Sequence, residues 1–496
     1  VLALPAAAQP TPPFPRALVE RVLGESHALV LERHLEAPAP ADLVLWSLRG
    51  LAVLDPRLDA VLREGELRLL MEDRVLARRP IAALAPRVPP EAAGPAVATA
   101  IADLYEAAWQ ASAPLRRAGA ERLLNSGFEE LFNHLDPYSR YLSPAEAEGA
   151  RERRVGQSGL GLRITAQAER LVLVEVTRNG PAALAGLRVG DVLLSIDGRP
   201  VSGREPGVAA TLLEGPEGSE VTLGLLRNGR RREVPLLREL SVPETVTAQL
   251  RDGILWLSVS GFSTLTDRRV AQVLADGFAG RPPRGVVLDL RGNRGGLLAK
   301  AVAVADAFLA EGEVARTEGR HPDANRSYQA AGQDMAQGRP VVVLVDGRTA
   351  SAAEIVAAGL AERGRAVVVG SATTGKGLIQ LVAPLPNEAE LLVTWSRVVA
   401  PSGWPIQGLG VLPVLCTSLG PEALASALAQ LRQGEAPMAR AIARQRTARA
   451  PVLASETAAL RGACPPAEGR AADLAAARAL IDSPAAYAAA LAASRP

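Results

Sequence analysis

Two lysines, Lys300 and Lys376, stand among 55 basic residues, and every other basic position is arginine. The chain meets its ordinary need for positive charge with guanidinium groups, so a lysine points to work that arginine cannot do. A desolvated ammonium can give up its proton, whereas a guanidinium stays charged. Lys376 lies in GSATTGKG, residues 370–377, directly after the apolar run AVVV. Glycine, four residues and Gly-Lys open a phosphate-binding loop, but that loop needs Ser or Thr next and a helix that offers its N-terminus to the phosphates. Here Gly377 takes the hydroxyl position, and LIQLVAPLP follows, a strand-like run ended by prolines. Both requirements fail, which sets a nucleotide site aside. The plain alternative to a chemical role is a surface charge.

Upstream, VVVLVDGRTASAAEIVAAGLAERG has the pattern of a strand, a sharp turn and a helix, with Ser351 at or just before the first helical turn. That position exposes the hydroxyl at the edge of a sheet and aims unpaired main-chain N–H groups at whatever is bonded there. An N-cap serine would occupy the same place. As a nucleophile the hydroxyl needs a base. The four histidines, His27, His34, His134 and His321, fall outside the motif-bearing segments. His321, in the polar stretch TEGRHPDANRSY, is the alternative base. Lys376 between two glycines, if desolvated, completes a Ser–Lys dyad; buried lysines reach pKa values of about 5–6. The tetrahedral intermediate needs donors for its oxyanion. Ala352 N–H follows the serine, and LDLRGNRGGL brings a buried strand into Gly295 and Gly296, where bare backbone can face a substrate. A glycine-rich strand-to-helix turn is the structural alternative there.

The elements that must position these groups differ along the chain. Residues 9–150 carry apolar residues at helical spacing, broken by APAPAD and APRVPPEAAGP, and are expected to be helical. Residues 151–240 are short β runs with turn residues between them. Residues 241–415 alternate buried strands with helices, and residues 416–496 are Ala-rich helices. Net charge is +2 and aromatics are 3%, with no basic block, so nucleic acid is not an expected partner. Residues 1–8, VLALPAAA, have the composition of a signal-peptide remnant, or of an Ala-rich linker. No stretch has 18 uninterrupted apolar residues, so no transmembrane segment is expected. Cys416 and Cys464 could pair in an exported protein or be unrelated buried thiols; neither has partners at metal-ligand spacing, so no metal site is expected.

In unbroken order from about residue 130 to 415, LDPYSRYLSPAEA, GLGL, NGPAALAGLRVGDVLLSIDGRPV, LDLRGNRGG, TASAAEI, TTGKGLIQ and PSGWPIQGLGVLP resemble the carboxy-terminal processing proteases, the S41 serine peptidases. The resemblance implies a multidomain α/β protein: a helical N-terminal domain, a β-rich PDZ domain, an α/β Ser–Lys protease core of the ClpP/crotonase type, and a helical C-terminal extension. It places the nucleophile on Ser351, the base on Lys376, a positioning amide on Gln380 and the oxyanion donors on Gly296 and Ala352. It implies a serine endopeptidase of the bacterial envelope or periplasm, with no cofactor. The PDZ loop Gly159-Leu160-Gly161-Leu162 would hold the free carboxylate of an apolar C-terminus, with Leu160 and Leu162 lining part of the pocket. The PDZ domain would also gate the site. For some members the family's helical ends dimerise or dock an adaptor protein. Two departures stand out: Ala353 where the family has a serine, and Leu412-Pro413-Val414 where it often has an acidic residue. A PDZ scaffold with weak or no catalysis is the alternative function.

Overall fold

The structure is a computed structural model. It describes residues 13–84, 90–155, 157–177, 180–203, 206–213, 218–241 and 244–495; the expected signal-peptide remnant lies outside the described residues. The chain divides into two compact units, one made of residues 150–245 with 262–267 and the other of the remainder.

The larger unit is organised by a six-stranded sheet. Its order is Val246–Arg251, Ile254–Val259, Gly285–Asp289, Val341–Val345, Val367–Gly370 and Leu415–Cys416. The first pair is antiparallel and every later pair parallel. Val341–Val345 and Val367–Gly370 are buried at every position. Continuous apolar β-branched runs of this kind suit parallel strands covered on both faces. The helix Ala352–Glu362, buried along its whole length, packs beside them. A second, antiparallel sheet runs Arg326–Ala330, Gly312–Glu318, Glu390–Val399, Leu378–Pro384, with Arg140–Leu142 added to Glu390–Val399.

The N-terminal part departs from the helical expectation. Helices Arg16–Arg33, Pro40–Arg49, Pro90–Ala111 and Ala120–Asn133 are present. Between them, however, Leu58–Arg63, Glu66–Met71 and Arg74–Pro80 form an antiparallel meander. Its turns place Glu64, Gly65 and Glu72 at positive φ. Leu58, Ala60, Leu67 and Leu69 point inward at alternate positions and join one core with the helices and with Leu391 and Val393 of the second sheet. The N-terminal helices thus share a core with the strands beside the site.

The C-terminal helices pack back onto the main sheet. Tyr487 hydroxyl accepts from Val341 N–H at 2.9 Å, and Arg291 meets Asp473 at 3.1 Å. Cys416 and Cys464 are disulfide-bonded, with Sγ atoms 2.03 Å apart.

The smaller unit is a sheet in the order Arg230–Leu237, Glu220–Arg227, Val192–Ile196, Arg170–Val176, Leu162–Gln167, with the short helices Pro181–Leu184 and Pro206–Leu213. Leu160, Leu171, Leu173, Leu193, Leu223 and Leu225 are among its own buried core.

Candidate active site

Three loops leave the carboxyl ends of three neighbouring parallel strands. The glycine loop follows Gly285–Asp289, the serine turn follows Val341–Val345, and the lysine loop follows Val367–Gly370. Crevices outside the carboxyl ends of such strands are where open α/β sheets bind ligands.

The serine turn is held by Asp346, whose Oδ1 accepts from Thr349 N–H at 2.9 Å and from Gly292 N–H of the glycine loop at 2.9 Å. Thr349 hydroxyl donates to Leu290 carbonyl at 2.9 Å. Asn293, fully buried, adds a second stitch. Its amide donates to Val259 carbonyl at 2.8 Å, its Oδ1 accepts Gly295 N–H at 2.8 Å, and its carbonyl accepts Ala350 N–H at 2.9 Å. Gly295 must be glycine: φ is 97°, and an added Cβ would stand 2.9 Å from Ser351 Cβ and 3.0 Å from Ala352 N. Gly296 follows at φ 141°. Ala352 opens the helix, where main-chain donors have no intrahelical partner. The expected oxyanion segments therefore abut the serine.

Glu354 is a residue that sequence reasoning missed. Its carboxylate is fully buried, and Oε2 accepts Ser351 N–H at 2.7 Å and Lys376 N–H at 2.9 Å. One oxygen therefore keeps the two main-chain nitrogens within two hydrogen-bond lengths of each other. Oε1 accepts Gly375 N–H at 2.7 Å and the Thr373 hydroxyl. Burial raises this carboxyl above its ordinary range, against the pull of those hydrogen bonds. The available signal was the spacing from Ser351 to Glu354, which fits a helix N-terminal box.

Lys376 is half-buried, and desolvation lowers its pKa; the positive charge of Arg140 acts the same way, while Asp136 and Glu354 oppose it. Its Nζ lies 4.8 Å from the centre of the Tyr138 ring. Burial would raise the Asp136 carboxyl, but hydrogen bonds from His34, Ser139 and Thr394 outweigh it and hold it below the usual range. The lysine loop is zipped to residues 407–411: Gly408 N–H donates to Gly375 carbonyl at 2.9 Å, Gly377 N–H to Gln407 Oε1 at 2.9 Å, and Val411 N–H to Thr373 Oγ1 at 2.7 Å.

Other expected residues sit elsewhere. Gln380 donates to Thr394 Oγ1 at 3.2 Å and Leu378 carbonyl at 3.3 Å rather than to Lys376. Thr394 hydroxyl in turn donates to Asp136 at 2.7 Å, so Gln380 reaches the lysine's surroundings indirectly. His321 is engaged with Glu32, Arg33 and Asp323, and among the described residues that set shares no hydrogen-bonded residue with Ser351. In the smaller unit, Gly161 has φ 66° and its carbonyl accepts Thr177 N–H at 2.8 Å. Leu160 carbonyl accepts Ala182 N–H at 2.9 Å. Leu160 is buried within that unit's core and Leu162 packs against it, while Gly159 ends the short strand Gln157–Gly159.

The peptidase family S41 profile matches residues 253–415, and a PDZ profile matches residues 172–227. The carboxy-terminal-processing protease of Bartonella bacilliformis is 32% identical over 299 residues, covering 59% of this chain and 69% of that protein. The chain belongs to the S41 carboxy-terminal processing proteases. The carboxyl-terminal-processing protease of Synechocystis is 34% identical over 299 residues, 58% of this chain and 69% of that protein. The solved photosystem II D1 C-terminal processing protease is 28% identical over 62% of this chain and 86% of its own, with a TM-score of 0.37. This S41 protease is a serine-type peptidase, a multidomain α/β protein with a PDZ domain and an S41 core.

Proposed function

We propose that this S41 protease is an endopeptidase that works through a Ser351–Lys376 dyad. The observation that carries it is the single buried oxygen of Glu354 that binds the main-chain N–H of both residues. Lys376, neutral, takes the Ser351 proton as Oγ attacks the scissile carbonyl carbon. The oxyanion is met by Ala352 N–H, with Gly296 N–H as second donor. The ammonium of Lys376 then protonates the departing amine, leaving an acyl-serine. Lys376, neutral again, takes a proton from water, whose attack releases the acid and restores Ser351. Asp136, Thr394 and Gln380 order the surroundings of the lysine.

The PDZ domain captures a protein or peptide by its free, apolar C-terminus at Gly159-Leu160-Gly161-Leu162 and controls access to the site. The protein works in the cell envelope, on the exported side. Bacterial carboxy-terminal processing relatives and the Cys416–Cys464 disulfide support that placement. Among the described residues, no helix is long and apolar enough to cross a membrane.

The test uses an unfolded substrate with an apolar C-terminus. Wild type cleaves it, Lys376→Arg loses about 10²–10⁴-fold in kcat because arginine keeps the charge but cannot act as a base, and His321→Ala stays active. Because the free base is the working form and burial lowers its pKa, kcat/KM rises with pH and levels off below the ordinary lysine range. Cleavage by Lys376→Arg at the wild-type rate would sink the dyad. Peptide binding without any cleavage or labelling of Ser351 would favour a PDZ scaffold.

A further inference from the structure

The S41 profile ends at residue 415, yet the segment that follows reaches the back of the lysine loop. Ala372 N–H donates to Cys464 carbonyl at 3.3 Å. Arg461, on the helix Ala454–Gly462, directs one guanidinium nitrogen at two loops: Nη1 donates to Thr373 carbonyl at 2.8 Å and to Leu409 carbonyl at 3.2 Å. The approach depends on Gly410, where an added Cβ would lie 3.0 Å from that nitrogen. Thr373 is the hinge of the arrangement. Its hydroxyl binds Glu354, and its main-chain N–H and its Oγ1 both pair with Val411, at 3.2 Å and 2.7 Å. Glu354 then holds Ser351 and Lys376. Arg461 is half-buried, and the cost of desolvating it is offset partly by the charge of Glu354.

We propose that Arg461 is a positioning residue for catalysis: from the C-terminal extension it clamps the lysine loop to the loop at residues 407–411 and so keeps Lys376 in register with Ser351. This rests on the Ser–Lys reading. A carbonyl pair bridged by one cation fixes the spacing of the two loops, and shifts of about 1 Å in such a spacing can cost about 10²-fold in rate. Arg461 touches neither substrate nor a reacting atom, so its effect must appear through the lysine.

The experiment compares full-length wild type, Arg461→Met, Arg461→Lys and Lys376→Arg on one substrate across pH. Methionine keeps the apolar stem and removes every donor. Arg461→Met is expected to lower kcat about 10–100-fold with KM within about twofold. The acid limb of kcat/KM should move to higher pH, because a loosened loop lets water reach Lys376 and its pKa returns toward the ordinary value. Arg461→Lys, which restores a cation able to donate to both carbonyls, should recover most of the loss. If Arg461→Met keeps the wild-type kcat and pH profile while Lys376→Arg is inactive, the inference fails alone. If kcat falls only in step with melting temperature, the acid limb stays put and lysine rescues nothing, Arg461 is a structural brace and the inference also fails. If Lys376→Arg cleaves normally, it is the Ser–Lys reading that falls.

Discussion

Ser351 holds φ 58° and ψ −123°, a backbone region in which a residue with a side chain costs about 1–3 kcal/mol. The strain is imposed from outside. Its N–H is fixed on Glu354, Ala350 N–H is fixed on Asn293 carbonyl, and Gly295 lies so near that a Cβ there would stand 2.9 Å from the serine's own. Removing the side chain therefore separates activity from stability. Ser351→Ala and Ser351→Gly should both be inactive, yet the glycine variant should be more stable by about 1 kcal/mol, because relief of strain exceeds the added freedom of its unfolded chain. Urea unfolding of the two variants decides it; equal midpoints would mean that the turn is not strained. At this scale the strand–turn–helix pattern was enough to put Ser351 at the head of a helix and Lys376 in the loop after a buried strand, since both are local signals. Glu354 escaped because its spacing fits an ordinary helix cap, and only the fold brings the lysine loop to its second oxygen. Tyr138 and Asp136 escaped for a related reason: they reach Lys376 through strand pairing between Arg140–Leu142 and Glu390–Val399, which no local pattern encodes.

Among the elements, the buried valine runs were recognisable as sheet strands because parallel strands covered on both faces must be apolar throughout. The meander at Leu58–Pro80 was not. It is built largely from Leu and Arg, with Val61 and Val75 its only β-branched residues and no aromatic one, and its inward alternation is interrupted by turns every few residues. The C-terminal helices were recognisable as helices, but not as the wall behind the site. There the disulfide joins the last strand of the main sheet, Leu415–Cys416, to the segment after the helix that carries Arg461. It closes a chain separation of 48 residues. Replacing both cysteines by serine should lower stability by about 2–4 kcal/mol. Denaturant titration of the oxidised wild type against the double variant measures it, and an unchanged midpoint would show that packing alone holds the segment.

In the whole molecule, the PDZ unit interrupts the larger unit, entering after residue 149 and returning before Val246. It has its own core, which lets peptide capture be measured apart from cleavage. In full-length Ser351→Ala, a peptide with an apolar end and a free carboxylate should bind about 10–100-fold more tightly than its C-terminal amide, the loss expected when hydrogen bonds to a charged group worth about 1.5–3 kcal/mol are removed. Calorimetry or fluorescence anisotropy reads this directly, and equal affinities would rule out carboxylate capture. The larger unit has another property, which follows from the order in which its parts leave the ribosome. Tyr138 beside the lysine precedes Ser351 and Lys376 in the chain, and Cys464 and Ala467, which bind the backbone at Ala372 and Gly347, follow them. A nascent chain that already contains Ser351 and Lys376 lacks the segment that binds the backbone of the loops bearing them. Assembly of the site therefore waits on residues made after both Ser351 and Lys376.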